Sequence, residues 1–174
     1  LQAGLRTHYY SKGEYLRFSP RLQVHLWPDK PVTLGAGYTR NHQFLHRLSL
    51  DGNVSSAVWV PSTDAQPPGA VDHLMASLTA HPTSTTTVQV DGYWKHHENL
   101  RRHSSLARLR PSMTVLFQPW TVENTARARG LEVLGQQELG VLSLTGAYAL
   151  SKVTVEPAGN GDARPADWDR RHQV

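Results

Sequence analysis

The feature that most constrains this chain is a period-two alternation of apolar and polar residues. Over residues 14–26 the even positions from 16 onward are apolar, whereas the odd positions carry Tyr, Arg, Ser, Gln and His. Successive side chains of a strand point to opposite faces of its sheet, so this run predicts a strand with one apolar and one polar face. Residues 32–41 repeat the pattern, and the Trp-Pro-Asp-Lys-Pro segment at 27–31 predicts a tight turn between the two strands.

The same hairpin unit returns further along the chain. Residues 70–81 and 86–96 predict a second hairpin, and a third runs from about 126 to 139, turns near Gly140 and continues through 150. Residues 1–9 predict an unpaired leading strand, and residues 168–174 predict the start of a trailing strand. These runs indicate about eight strands. Short turns are expected near 27–31, 82–85 and 139–140, and long polar connections at about 43–69, 98–125 and 152–167.

Strand length and the asymmetry of the connections favour a membrane β-barrel. The runs are 10–13 residues long, whereas soluble strands average about 5–6 residues and a tilted strand that crosses a bilayer needs about 9–11. Outer-membrane barrels have short turns at one end and long loops at the other, and aromatic girdles at both interfaces. Tyr9, Phe18, Trp27 and Trp94 lie toward the ends of the runs. A large soluble antiparallel sheet packed on one face is the alternative fold.

Composition excludes several other classes. With 39% hydrophobic and 18% charged residues the chain should fold, and its apolar runs are too short for a membrane-spanning helix. The absence of cysteine excludes a disulfide framework, a thiolate zinc site and a cysteine nucleophile. The net charge of +4 suits an anionic partner, but the basic residues are scattered apart from short runs. We therefore expect no nucleic-acid binding.

We expect no catalytic, cofactor or metal site. His96 and His97 are adjacent in a predicted strand and so point to opposite faces, which prevents both from binding one metal ion. Asp167, Asp169 and His172 lack the Gly-x-Ser-x-Gly elbow of a hydrolytic triad. No glycine-rich phosphate loop lies between a strand and a helix. An enzymatic activity is therefore not expected.

Four short segments, in order, carry a resemblance to a known family. The first joins FSPRL at 18–22 to LGAGYTRNHQ at 34–43, and the second is VQVDGYWK at 88–95. The third is ARGLEV at 128–133, and the fourth joins YALS at 148–151 to DWDRRHQ at 167–173. Together they span nearly the whole chain. They resemble the C-terminal barrel of TonB-dependent receptors of Gram-negative outer membranes.

The resemblance implies an all-β, antiparallel, up-and-down transmembrane barrel of about 22 strands around a plug domain. Residues 1–174 would form about eight of those strands, as an internal segment without the plug or its TonB box. The implied function is TonB-coupled uptake of a bulky, scarce ligand of the siderophore, vitamin or glycan class at the cell outer membrane. Its implied partners are outer-membrane lipid, the TonB complex through the missing plug, and an unidentified transported ligand.

The family binds its ligands with the plug and the external loops, so no ligand-binding residue transfers to this sequence. His46, Arg47, Trp59 and Trp120 are loop candidates, and each is better explained as an anchor between loops. Two other functions stay open: a small closed outer-membrane barrel, or a soluble β-rich module that binds a glycan or polyanion. Because the chain has no initiator Met and no signal peptide, we expect a piece of a longer protein.

Overall fold

The computed structural model describes residues 1–49, 57–64, 66–103, 121–157 and 161–174. Within these residues the fold is all-β, and no helix is long and apolar enough to cross a bilayer. In chain order, the strands are β1 (Gln2–Tyr10), β2 (Tyr15–Leu26), β3 (Val32–Gln43), β4 (Leu45–Ser49), β5 (Ala57–Pro61), β6 (Gly69–Thr83), β7 (Thr86–His103), β8 (Thr121–Leu139), β9 (Leu142–Pro157), β10 (Arg164–Pro165) and β11 (His172–Gln173).

The seven long strands form one antiparallel, up-and-down sheet in the order β1-β2-β3-β6-β7-β8-β9. The hairpin β4–β5 is inserted between β3 and β6 and forms a separate two-stranded sheet, while β10 and β11 both pair with β9. The sheet is open, because β1 pairs only with β2 among the described residues. The predicted fold class is therefore confirmed at the level of an all-β, up-and-down sheet. The expected leading strand is present, but it is paired with β2 along its whole length rather than unpaired.

Three short turns join long strands at one end of the sheet, which we call the lower end. They follow β2, β6 and β8, as the sequence predicts. Trp27 and Gly140 adopt positive φ angles of 54° and 61° in two of these turns. At the opposite, upper end, the connection after β3 is long and contains the hairpin β4–β5, but the link from β1 to β2 is short. The predicted asymmetry therefore holds for the connection after β3 and not for the one after β1, while residues 104–120, between β7 and β8, lie outside the described residues.

Several strands are longer than the sequence predicts. β7 continues to His103, β8 begins at Thr121 and β9 continues to Pro157, so the predicted connections at 98–125 and 152–167 are too long. The pairing of β7 shifts register between His97 and Leu100, where Asn99 adopts a φ of 55°. Such a bulge inserts an extra residue and reverses the parity of the side chains beyond it. The alternation that marks a strand is lost there, although the backbone pairing continues.

The buried core of the described residues is small and lies near the upper end. It consists of Ala126, Val155 and Ala166, with Leu100 and Val153 packed against it. The predicted apolar positions of the long strands instead share one exposed face of the sheet, which we call the apolar face. The other side is the polar face. A soluble sheet of this size normally buries its apolar face against a second layer.

Candidate functional site

A continuous band of apolar side chains crosses the apolar face. In β2 the band runs from Leu16 to Leu26, and in β9 it runs from Leu142 to Leu150. Many of its large side chains are exposed, for example Leu16 at 50% and Leu150 at 44%, and others are half-buried. The six alternate positions of β2 extend over about 34 Å of strand, which becomes about 25 Å of height at the tilt of a barrel strand. This height matches the lipid-facing band of an outer-membrane barrel.

Between β2 and β9 the band is displaced along the strands toward the lower end, although its upper edge follows one hydrogen-bonded row across β3, β6 and β7. Leu150, the upper end of the band in β9, lies in the same row as Val24 of β2, which is eight residues below Leu16. At about 3.4 Å per residue and 4.8 Å between strands, a step of that size across five strand spacings corresponds to a tilt of about 45–50°. Strands of membrane barrels are tilted by about 35–45°, so a level belt drawn across them has nearly this slant.

Aromatic side chains mark the upper edge of the band. Tyr9, Tyr38 and Trp94 lie at the upper ends of the apolar runs in β1, β3 and β7, and Tyr148 lies one alternate position below the upper end in β9. Trp27 lies at the lower end, in the turn after β2. Amphipathic rings at the border of an apolar band are typical of a membrane interface.

Charged side chains begin directly above the aromatic edge. In β3, β6 and β7 the charges are paired: Arg40 donates to Asp72 Oδ2 at 2.7 Å and to Glu98 Oε2 at 3.2 Å. Tyr38 Oη donates to Asp72 Oδ1 at 2.6 Å. His96 Nε2 lies 3.7 Å from Glu98 Oε1. In this part of the charged belt, two carboxylates therefore offset the charge of the single guanidinium of Arg40.

Further along the same belt, β8 and β9 present a cationic cluster, which consists of Arg127, Arg129 and Lys152. The cluster and Trp94 line a cavity of about 220 Å³. Trp94, Arg129 and Lys152 lie in one hydrogen-bonded row, so their side chains share the apolar face. Glu156 pairs with Arg127 at 3.9 Å, and no carboxylate in the described part of the chain forms an ion pair with Arg129 or Lys152. The cluster therefore carries a net positive charge.

The polar face carries small, polar and charged side chains. Tyr93 of β7 lies across Gly130 of β8, where an added Cβ atom would come within 2.7 Å of two ring carbons and the hydroxyl oxygen of the tyrosine. The Lys95 ammonium group lies 4.9 Å from the centre of that ring. The His73 ring lies edge-on to it, with the two ring centres 6.4 Å apart. These contacts leave a face that is able to border water.

A cavity of about 290 Å³ lies at the upper end, between the tops of β3, β6 and β7 and the hairpin β4–β5. His42, His46 and His97 contribute to its lining. His46 is 6% exposed, and its Nε2 atom lies 3.2 Å from Oγ of the fully buried Ser62. Burial, with a smaller effect of Arg101, holds the pKa of His46 below its usual value. The described residues contain no group of three or more side chains arranged to bind a metal ion.

The structure separates the loop candidates. His46 is buried against Ser62 and anchors the hairpin, rather than presenting a surface to a ligand. Arg47 and Trp59 lie opposite each other in the register of β4 and β5, and Trp59 is 61% exposed. Trp120 lies outside the described residues. His46 is therefore an anchor, while the Trp59 side chain is exposed on the hairpin.

The sequence analysis did not single out the cationic cluster. Arg127 and Arg129 continue the alternation of Leu131 and Val133 toward the upper end, which gives a signal within β8. Lys152 is brought beside Arg129 only by the register of β8 against β9, which the sequence does not specify. Comparisons with known proteins identify no relative, since no family model, curated protein or solved structure matches this chain.

Proposed function

We propose that this chain is an internal segment of the barrel of a TonB-dependent outer-membrane receptor, which takes up a bulky, scarce ligand of the siderophore, vitamin or glycan class. The observation that carries the proposal is the exposed apolar band, stepped across the strands at the slant of a tilted barrel and opposed by a polar face. An apolar surface of this extent is unfavourable in water and is accommodated by lipid.

The backbone pairing supports the same proposal. A bilayer provides no hydrogen-bond partners, so a strand in lipid needs a neighbour on each side. Among the described residues, strands β2, β3, β6, β7 and β8 have such neighbours, whereas β1 pairs only with β2. Further strands on both sides would complete the wall, as expected of a segment from a larger barrel.

The two faces then have separate roles. The apolar face contacts outer-membrane lipid, and the polar face lines the interior through which the ligand passes. The hairpin β4–β5, with Trp59 exposed, belongs to the external surface that first meets the ligand. Energy comes from the TonB complex through a plug domain that this chain does not include. We propose no catalytic step and no cofactor.

A matched pair of substitutions tests the lipid assignment. Leu78 lies in the band of β6, and its neighbour Thr79 lies on the polar face. We expect Leu78→Arg to destabilise the membrane-inserted protein by about 2–4 kcal/mol, because the guanidinium would lie near the bilayer midplane, and Thr79→Arg to cost much less. Urea unfolding in lipid vesicles measures both changes. Equal costs, or recovery of the unmodified protein in the aqueous fraction, would contradict the membrane assignment.

Transport requires its own test. In the bacterium that encodes the protein, deletion of its gene should abolish uptake of one labelled ferric siderophore, vitamin or glycan, and deletion of TonB should abolish the same uptake. Uptake that needs the protein but not TonB would favour a small closed barrel that acts by diffusion. A protein that binds glycan in the aqueous fraction would favour the soluble module.

A further inference from the structure

We propose that the cationic cluster of Arg127, Arg129 and Lys152, beside Trp94, binds the phosphorylated headgroup of a glycolipid in the outer leaflet. This inference rests on the proposed membrane function, because it needs the apolar face to contact lipid. It adds a specific lipid site on the outside of the wall, distinct from the path of the transported ligand.

The first argument is the excess of positive charge. At β3, β6 and β7 the same belt has no excess of positive charge, because its one guanidinium, Arg40, is held by the two carboxylates of Asp72 and Glu98. At β8 and β9 three cations lie together, and the only one of them that forms an ion pair within the described residues is Arg127, 3.9 Å from Glu156. Phosphate groups are suited to such a cluster, since guanidinium and ammonium groups donate several charge-assisted hydrogen bonds to their oxygens.

The Asp169 carboxylate near the edge of β9 offsets only part of this charge, because it is shared with other donors. Asp169 acts on Lys152 electrostatically, but its carboxylate already accepts hydrogen bonds from Arg171 Nε at 2.6 Å and from the Val153 amide at 2.7 Å. The exposed side chain of Arg127 is 60% accessible, so it is free to turn from Glu156 toward an incoming phosphate.

The second argument is an apolar groove that begins at Leu131, below the cluster, and extends sideways across β7, β6 and β3. Leu131 and Leu150 follow Arg129 and Lys152 as the next positions on the same face. Leu131 also lines a cavity of about 530 Å³, whose floor consists of the small residues Ala36, Ala76 and Gly92. Those small side chains form one hydrogen-bonded row, one alternate position below the row of Trp94 and Arg129.

The adjacency of the two cavities selects a lipid over a free anion. A headgroup phosphate at the cluster would place its acyl chains on the apolar band and in the groove, whereas inorganic phosphate would use only the cluster. The cluster also lies at the upper end, which corresponds to the external interface if the short turns face the periplasm. Basic pockets at a membrane interface bind anionic headgroups for the same electrostatic reason.

The test is a lipid titration of the intact protein in detergent micelles. The probes are a phosphorylated glycolipid, the same glycolipid after phosphatase treatment, and inorganic phosphate as competitor. We expect the double variant Arg129→Gln and Lys152→Gln to bind the phosphorylated glycolipid about 30-fold more weakly, and to lose the preference over the dephosphorylated form. Ala76→Leu, which fills the groove without a change of charge, should weaken the binding of both forms.

The control removes two cations from the polar face, with Arg21→Gln and Lys95→Gln, and should leave the affinity unchanged. Equal affinities for the control and the cluster variant would overturn the lipid site, while membrane insertion of all variants would leave the proposed function standing. Displacement of the glycolipid by inorganic phosphate alone would also overturn it, in favour of a free-anion site. A protein that never enters micelles or membranes would overturn both proposals.

Discussion

Individual side chains keep the two faces of the sheet distinct, and Tyr93 over Gly130 is the clearest case. The ring occupies the space that any larger residue at 130 would need, and it contacts Lys95 and His73 on the same face. A glycine in a strand is otherwise unfavourable, because it has no side chain to pack. A large ring laid over it by the neighbouring strand restores that packing.

Gly130→Ala should therefore destabilise the protein by about 1–3 kcal/mol, because the new methyl group displaces the ring of Tyr93. Gly135 of the same strand is the matched control, since an added Cβ atom there has no neighbour within 4 Å. Gly135→Ala should be neutral or slightly stabilising. Chemical unfolding of both variants measures the difference. Equal effects at the two positions would show that the placement of the Tyr93 ring does not require glycine at position 130.

The acid dependence of stability is expected to involve Asp169. Hydrogen bonds from Arg171 and the Val153 amide hold the pKa of Asp169 below its usual value. As the pH falls below about 4, Asp169 is therefore protonated in the unfolded chain before it is protonated in the folded protein. The stabilisation that Asp169 provides is complete above that pH. It is lost as the pH falls through the pKa of Asp169 in the folded protein. Asp169→Asn should flatten the decline in unfolding free energy over that range. Parallel pH profiles for the two proteins would contradict this account.

At the scale of the strands, Asn99 controls how β7 continues beyond the apolar band. It adopts a positive φ at the register shift, and its side-chain amide donates to the Pro68 carbonyl at 3.0 Å. Asparagine tolerates the left-handed region better than other non-glycine residues, whereas a β-branched residue is strained there. The bulge thus connects the regular lower part of β7 to its upper extension.

Asn99→Val should cost about 1–2 kcal/mol more than Asn99→Gly, because valine adds backbone strain to the loss of the hydrogen bond. The two variants lose the same contact with Pro68, so the difference isolates the conformation of the backbone. Amide hydrogen exchange in the upper part of β7 should rise more in the valine variant. Equal exchange in both would show that positive φ is not what holds the bulge.

The same bulge explains what the sequence does and does not predict. The lower ends of the strands and the three short turns follow from alternation and from turn residues such as Gly140, which act locally. The upper ends of β7 and β8 cannot be predicted in this way, because a parity shift at Asn99 removes the alternation while the backbone pairing continues. The cationic cluster could not be predicted for a related reason. Lys152 lies beside Arg129 because of the register between β8 and β9, and the pattern within one strand does not specify its register with the next.

At the scale of the whole molecule, the open sheet has consequences for solubility. The outer edge of β1 is unpaired, and the apolar band is uncovered in the described part of the chain. Bare strand edges and large apolar surfaces both promote association. We expect the 174-residue chain alone to form oligomers or aggregates in aqueous buffer and to disperse in detergent. Size-exclusion chromatography with light scattering measures this, and a monodisperse monomer without detergent would contradict the account.

The central claim is that one face of the sheet contacts lipid and the other contacts water. The chain contains no cysteine, so a single cysteine introduced at each position from 73 to 79 gives one unambiguous spin-label site on β6. In bilayers, the account predicts alternating accessibility, high to lipid-soluble oxygen at Leu74, Ala76 and Leu78 and high to a water-soluble nickel complex at the residues between them. An absence of alternation, or access of the nickel complex to both faces, would contradict the claim.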